Sequence, residues 1–578
     1  MRRGASAFLR TDKVGRAAGE EALLTGSRWP APGDWRNDTR SCIVVPRSPS
    51  GGVPHRVFGW QEHQVINVEL VPEDPCVSPR ANVILFFPRF KGPVHPVWLP
   101  LEIMTVGTAL WKAGYRVRVL DERVEPSAEE VLLREAGDAL FVGLSARPGD
   151  QVRRSLQLFA KLKCRYPDVV TVFGGWFPSR FPEACLDLDG VDIVVQGTGD
   201  VAAVELAERL RNGQDLKGLL GVNARIQGNK ILNARRPLEP IDDTPRVPFE
   251  RFPIERYVTA DRCMSYYSSR GCPAACRFCC VPTPYPNEWT GYSAGRVLDE
   301  MELLTGRFGA KIFKILDTNF FADRERVRAI CRGLTERALD VHWIADARVA
   351  DIIRFDDELW ELVKRSGCHE IVTGREAGCD FQLGRVAKEC TSEEIRRAAE
   401  LVVSHGMHIR VNFIIGLHGE GRRELLGTLR LLRRLQALGP QVRLQFYRYT
   451  PIPATSLGRK TWQLVTRGHD GTVPRDPHSI MAIPLNYDDG KLFWLSKREE
   501  RRVKHLYYFY LPLVYYFPFV RDQARRGPRR WVLNRLVDVG RLRVRYGATA
   551  FPLELWLCRK FGRRMPVTRE FEWQQYLY

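Results

Sequence analysis

The sequence predicts an α/β chain: a doubly wound parallel sheet, a partial barrel of six strand–helix units, and a helical C-terminal region. Three observations predict it. Over residues 81–235 short apolar runs alternate with segments of helical spacing. A proline-rich stretch over 236–260 then opposes both helix and central strand. From 261 to 465 the alternation resumes with six further apolar runs, and beyond 466 the chain turns helical, aromatic and basic.

Each element follows in order. Residues 1–80 are rich in Gly, Pro, Ser and Arg without steady periodicity and read as an irregular extension, with one strand near Val65 to Val71. From Asn82, VILFF is a buried strand, LEIMTVGTALWKAG a helix stopped by Gly114, and YRVRVLD a second strand. ALFVGLS, VVTVFGG and VDIVVQG add three more, with helical spacing between them at 151–166 and 201–212. RPLEPIDDTPRVPFERFP is the linker. The second series has MSYYSS, KIFKILD, HWIADAR, HEIVTGRE, HIRVNFIIG and VRLQFYRY as strands, with helices near 294–307, 324–338, 357–366, 392–405 and 421–437. In such barrels the reactive groups stand at the carboxyl ends of the strands.

The formal charge is +20, from 88 basic and 68 acidic residues, which suits an anionic partner without choosing one. The basic clusters at Arg498, Arg501, Arg502 and Lys504 and at Arg525, Arg526, Arg529 and Arg530 read first as solvated faces. Fourteen cysteines are scattered apart from one tight group, Cys272 to Cys280, a pattern of reduced cytosol and a metal site. The N-terminal stretch lacks an apolar core of export-signal length, so a cytoplasmic protein is expected. LYYFYLPLVYYFPFV, 506–520, is too short and too interrupted by Pro512 and Pro518 to span a bilayer, leaving peripheral membrane contact or a packed aromatic face.

Cys272, Cys276 and Cys279 have the spacing C-x3-C-x2-C directly after a strand. Thiolates hold iron–sulfur clusters, and three of them on a four-iron cluster leave one iron open. The alternative is a structural zinc with Cys280 or Cys263 as fourth ligand. The cysteine motif, with Phe278 before its third cysteine, resembles that of the radical S-adenosylmethionine superfamily. So, in order, do FKILDTNFF, WIADAR, GREAGCD, FIIGLHGE and YTPIPATSL. The resemblance implies a TIM-type partial (βα)6 barrel and a [4Fe-4S] cluster on Cys272, Cys276 and Cys279, whose open iron chelates S-adenosylmethionine and splits it to a 5'-deoxyadenosyl radical. It also implies S-adenosylmethionine contacts at Phe278, Asp317, Arg348, Gly374, Glu376 and Gly416. No catalytic side chain is implied with certainty.

The segment from about 81 to 210 resembles the Rossmann-like cobalamin-binding domain that precedes the barrel in one branch of that superfamily. LPLEIMTVGTALWKAGYRVRVLDERVEP, GLSARPG, FGGWFPSRFPE and IVVQGTGD carry the resemblance. It implies cobalamin contacts at Asp121, Arg123, Ser145, Gly174, Gly175 and Gly197, four of which fall at strand carboxyl ends. Arg123 stands where the familiar Asp-x-His-x-x-Gly pattern has its histidine, and a guanidinium stays protonated, so this loop implies no histidine ligand to cobalt. The alternative is an empty docking domain. No G-x-G-x-x-G opens the first helix for a nicotinamide cofactor.

The branch implies methyl transfer to an unactivated carbon or phosphorus centre of a small-molecule or natural-product precursor. Two alternatives stand beside it: oxidative cyclisation or ring rearrangement with the same cofactors, and a non-catalytic cobalamin-binding protein. The expected partners are a small-molecule substrate and an electron donor such as flavodoxin or ferredoxin. Nucleic acid is disfavoured, since an RNA-methylthiolating relative would show a second cysteine triad, whereas Cys42, Cys76, Cys164 and Cys185 are dispersed. GRLRVRYGATAFPLELWL, 540–557, also resembles a segment common near the end of this branch.

Overall fold

The computed structural model describes residues 68–72, 80–90, 98–281, 285–465, 492–516 and 528–548. Strands β1 (Val68–Leu70), β2 (Arg80–Phe87), β3 (Tyr115–Asp121), β4 (Ala139–Ser145), β5 (Thr171–Gly174), β6 (Ile193–Val195), β7 (Val222–Ile226) and β8 (Asn229–Ile231) form one sheet, ordered β1-β3-β2-β4-β5-β6-β7-β8. The five strands β2 to β6 are parallel; β1 and β7 extend them antiparallel, and β8 pairs antiparallel with β7. Counted among the parallel strands alone, the order is 2-1-3-4-5, which puts the topological switch between β2 and β4. Leu85 and Phe87 of β2 feed a core on one face, and Ile84 and Phe86 feed a second core on the other, as a doubly wound sheet requires.

The second sheet is wholly parallel. β9 (Cys263–Tyr266), β12 (Ile312–Ile315), β13 (His342–Asp346), β14 (Cys368–Glu376), β15 (His408–Ile415) and β16 (Val442–Arg448) lie side by side in chain order, with a small hairpin, β10 (Ser269–Gly271) and β11 (Trp289–Gly291), inserted after β9. The connecting helices carry legible ends. Ser293 accepts the Arg296 N–H to open helix Ala294–Phe308, and Gly309, at φ 69°, closes it. Thr391 and Glu394 form a capping box at helix Ser392–Ser404.

Two expectations need revision, and one pair of open readings is decided. The strand expected near Val65 to Val71 is β1, an edge of the first sheet, so that domain begins before residue 81; most of 1–80 lies outside the described residues. The stretch 236–260 is no free linker: its prolines set up short 3-10 turns, and Ile241, Val247, Phe249, Phe252, Ile254 and Tyr257 are buried in the core. The aromatic run from Leu506 packs inward rather than toward a membrane. Leu506, Tyr507, Phe509, Tyr510, Leu511 and Tyr515 are all buried, and the Tyr515 and Phe446 ring centroids lie 5.6 Å apart. No helix among the described residues is long and apolar enough to cross a membrane. Residues 549–557 of the basic aromatic segment, and Arg525 and Arg526, lie outside the described residues.

Candidate functional site

The cysteine loop leaves β10 at Gly271, whose φ is 80°; a Cβ there would stand 2.3 Å from the Glu288 carbonyl oxygen, so only glycine fits. Cys279 N donates to the Cys276 carbonyl at 3.1 Å, and Val281 N donates to the Cys279 Sγ at 3.4 Å. The barrel grips this loop through Arg277, whose N–H reaches Val386 O at 3.0 Å and whose carbonyl accepts Leu457 N at 2.9 Å. Cys272, Cys276 and Cys279 are free and half-buried. Burial pushes the Cys276 and Cys279 thiols up, while the charges of Lys388 and Arg348 pull Cys276 down. Among the described residues no three His, Cys, Asp or Glu side chains share a position for one ion. Thiolates on separate irons of a cluster need not share one.

Several barrel residues singled out in the sequence gather here. Glu376 stands at the end of β14 at φ 57°, where the register with β15 slips, and accepts from Lys388 Nζ at 3.0 Å. A Cβ on Gly374 would stand 2.6 Å from Glu376 Oε1, so this glycine makes room for the carboxylate. Arg348 pairs with Glu389, and both Arg348 and Glu376 act electrostatically on Cys276. Lys388 Nζ lies 5.9 Å from the Phe278 ring centroid. Two residues are spent on the chain itself. Asp317, 1% exposed, accepts from Ser268 N at 2.7 Å, Ser268 Oγ at 2.7 Å and Ser269 Oγ at 2.6 Å, and so braces β12 against the strand leading to the cysteines. Gly416 donates its N–H to Glu420 at 2.8 Å and its carbonyl accepts from Trp494 Nε1 at 2.8 Å, so its one backbone donor is taken within the chain.

On the N-terminal side, the carboxyl ends of the parallel strands open onto a cavity of about 730 Å³. Ser145, Gly174, Gly175 and Gly197 line it together with Trp176 and Arg180. Gly174 faces open space, the nearest atom to a Cβ there being 4.0 Å away, so a large ligand can approach bare backbone. The opposite wall belongs to the barrel: Tyr266, Tyr267, Arg270, Gly271, Leu316 and Thr318, with Val281 from the cysteine loop. Asp121 and Arg123 do not line it. Their carboxylate and guanidinium lock together at 2.7 Å and 2.9 Å, Arg123 Nη2 binds the Trp98 carbonyl at 2.8 Å, and Tyr257 caps Asp121 at 3.0 Å. This closed ion pair, 4% exposed on both sides, corrects the expected cobalamin contact: it docks Tyr257 instead.

Other residues close the cavity that the sequence did not single out. Arg270, two residues before Cys272, forms a partly buried ion pair with the buried Asp200 at the start of helix Asp200–Arg211. The Tyr285 hydroxyl accepts from Thr198 N, and Arg180 Nε donates to the Cys280 carbonyl at 2.9 Å. Glu102 and Arg147 pair at 2.8 Å in the wall. Arg270, Arg180, Thr198 and Asp200 fall inside the motifs SRGC, FPSR and GTGD, but their partners lie about 70 to 100 residues away, and Glu102 and Arg147 are 45 residues apart.

Family comparison matches residues 91–207 to the B12 binding domain and residues 266–432 to the Radical SAM superfamily. The chain belongs to the cobalamin-binding branch of the radical SAM superfamily. An uncharacterised methyltransferase of Pyrococcus horikoshii is 29% identical over 293 residues, 50% of this chain and 62% of that protein. The anaerobic magnesium-protoporphyrin IX monomethyl ester cyclase of Rubrivivax gelatinosus is 27% identical over 448 residues, 74% of this chain and 77% of that one. Among solved structures, the cobalamin-dependent S-adenosylmethionine radical enzyme OxsB, with aqua-cobalamin and S-adenosylmethionine bound, superposes with a TM-score of 0.64 at 16% identity over 84% of this chain and 75% of that one, which shows the shared fold.

The residues of this radical SAM chain fit the branch's groups. Three half-buried thiols on a loop pinned from both sides suit a cluster, and the exposed Gly174 backbone with the Ser145 hydroxyl suits a bulky cobalamin. Among the described residues no histidine lines the cavity.

Proposed function

We propose that the chain is a cobalamin-dependent radical SAM methyltransferase that methylates an unactivated carbon or phosphorus centre of a small molecule. One observation carries the reading: a single cavity is walled by the strand ends of the cobalamin-binding sheet, the strand ends of the barrel and the cysteine loop. The cysteine loop enters this wall through Gly271 and Val281, which brings the cluster's loop beside the cobalamin cavity. When bound, the cluster and S-adenosylmethionine supply a hydrogen-abstracting radical and cobalamin supplies the methyl group. The chain's own residues hold and exclude. Cys272, Cys276 and Cys279 hold the cluster. Glu376, fixed by Lys388, offers its carboxylate to the ribose hydroxyls of S-adenosylmethionine. Ser145, Gly174, Gly175 and Gly197 receive cobalamin. Apolar side chains such as Leu101, Val106, Phe249, Leu316 and Ile452 keep water from the reacting atoms. Reduction calls for a small low-potential donor such as flavodoxin or ferredoxin, and a reducing cytosol suits the free thiols of Cys272, Cys276 and Cys279.

Radical cyclisation with the same cofactors is the second reading, favoured by the match to the cyclase over 74% of this chain. Protein purified and reconstituted without oxygen should hold about four irons and one cobalamin per chain, the stoichiometry of such cofactors. Incubated with small-molecule extract and S-adenosylmethionine labelled in its methyl group, it should give a product that carries the label. An unlabelled product that has lost hydrogen selects cyclisation. A cluster without cobalamin binding defeats methyl transfer.

A further inference from the structure

Arg180 belongs to the N-terminal domain, on the loop after β5, yet its guanidinium reaches the cysteine loop of the barrel. Its Nε donates to the Cys280 carbonyl at 2.9 Å and its Nη1 to the Trp176 carbonyl at 2.8 Å. The guanidinium plane also lies over the Trp176 ring, 4.0 Å from the centroid, so its position is fixed on three sides. Burial lowers its hold on the proton, and the leading groups that oppose this are Cys280, Cys279 and Tyr285, none of them a carboxylate. Two other cations, both acting on Cys276, differ in this respect: Lys388 is matched by Glu376 and Arg348 by Glu389. Among the described residues Arg180 has no carboxylate ion-pair partner, and its positive charge is held at the residue after the third cysteine ligand.

We propose that Arg180 is a positioning residue of the redox step that raises the reduction potential of the cluster on Cys272, Cys276 and Cys279. The inference rests on the cluster assignment above and adds a role for a residue of the other domain. One electron passes from a low-potential donor into the cluster; no bond forms or breaks, and the reduced cluster carries one more negative charge. A guanidinium stays protonated, so it stabilises the reduced form over the oxidised one. Its partly buried, cavity-side position keeps the charge from being fully screened.

The test is a redox titration of the full-length reconstituted chain, without S-adenosylmethionine, read by electron paramagnetic resonance on wild type, R180Q, R180M and R180K. Iron and sulfide per chain are measured first. At a fixed potential near the wild-type midpoint, R180Q and R180M should hold about tenfold less reduced relative to oxidised cluster, about 59 mV for one electron. R180K keeps the charge and should titrate close to wild type. Neutral variants that titrate as wild type overturn the proposal, and so does R180K falling as far as they do. Loss of iron from both neutral variants makes Arg180 a structural residue and overturns it too. A wild-type chain that holds no iron would instead sink the cluster assignment, while absence of cobalamin would touch only the methyl-transfer reading.

Discussion

One oxygen of Glu420 accepts the Gly416 N–H at 2.8 Å, whereas the other is buried without a hydrogen-bond partner, and burial pushes the carboxyl pKa up to about 7. The folded protein therefore binds this proton more tightly than the unfolded chain, whose pKa is near 4.5. Stability from this group is fully present below the unfolded value and is lost as the pH rises through about 7. Glu420→Gln keeps an acceptor for Gly416 and removes the ionisation. Relative to wild type it should gain about 3 kcal/mol more at pH 8 than at pH 4.5, read by anaerobic urea unfolding at the two pH values; an equal difference at both would place the charge elsewhere. The cysteines behave differently, because their chemistry is written in their spacing. Cys276→Ala should lose the cluster's iron and the reductive cleavage of S-adenosylmethionine while the N-terminal domain stays folded by circular dichroism. Cleavage that survives the substitution would remove these cysteines from the site. Residues of that kind are legible in sequence. Asp317 was not: a conspicuous acid at a strand end is consumed by Ser268 and Ser269, and only the fold shows that those hydroxyls lie 2.7 Å and 2.6 Å away.

Among the elements, the six barrel strands and their helices follow the apolar periodicity closely, since each buries a face against its neighbour and few other patterns would. Helix Arg422–Gln436 sits almost where its spacing predicts it. The hairpin β7–β8 escaped notice because β8 is short and largely exposed, so it lacks an apolar rhythm. The slip in β14 escaped for another reason: it is a backbone event, marked only by Glu376 at positive φ beside a glycine. That slip carries the candidate S-adenosylmethionine carboxylate. Gly374→Ala would set a methyl group 2.6 Å from Glu376 Oε1 and 3.4 Å from Lys388 Nζ, and the ion pair leaves the carboxylate little freedom to yield. S-adenosylmethionine affinity should fall about tenfold, the equivalent of about 1.4 kcal/mol, with the iron content unchanged. Equilibrium dialysis measures it, and unaltered affinity would take Glu376 out of the binding site.

The whole molecule is built by closing one domain's strand ends over the other's. Sequence patterning reveals the two sheets separately, because periodicity is local; the contacts between them join residues far apart in the chain and leave no periodic trace. Arg270 and Asp200 show what holds the closure. Asp200 is buried and Arg270 partly so, Arg270 Nη2 also reaches Thr105 Oγ1 at 3.3 Å, and Arg270 lies on the strand that leads into the cysteine loop. Removing one partner strands the other charge away from water, so Arg270→Ala should cost about 3 to 5 kcal/mol. Because the loss falls between the domains, thermal unfolding should split from one transition into two. Replacing both residues with apolar ones, Asp200→Leu with Arg270→Met, leaves no orphaned charge and should restore much of the stability, giving a coupling energy of about 1 kcal/mol or more in the double-mutant cycle. Additive losses would mean that the two side chains do not act as a pair, and the closure of the cavity would then rest on the packed segment 236–260 and on the Tyr285 contact with Thr198.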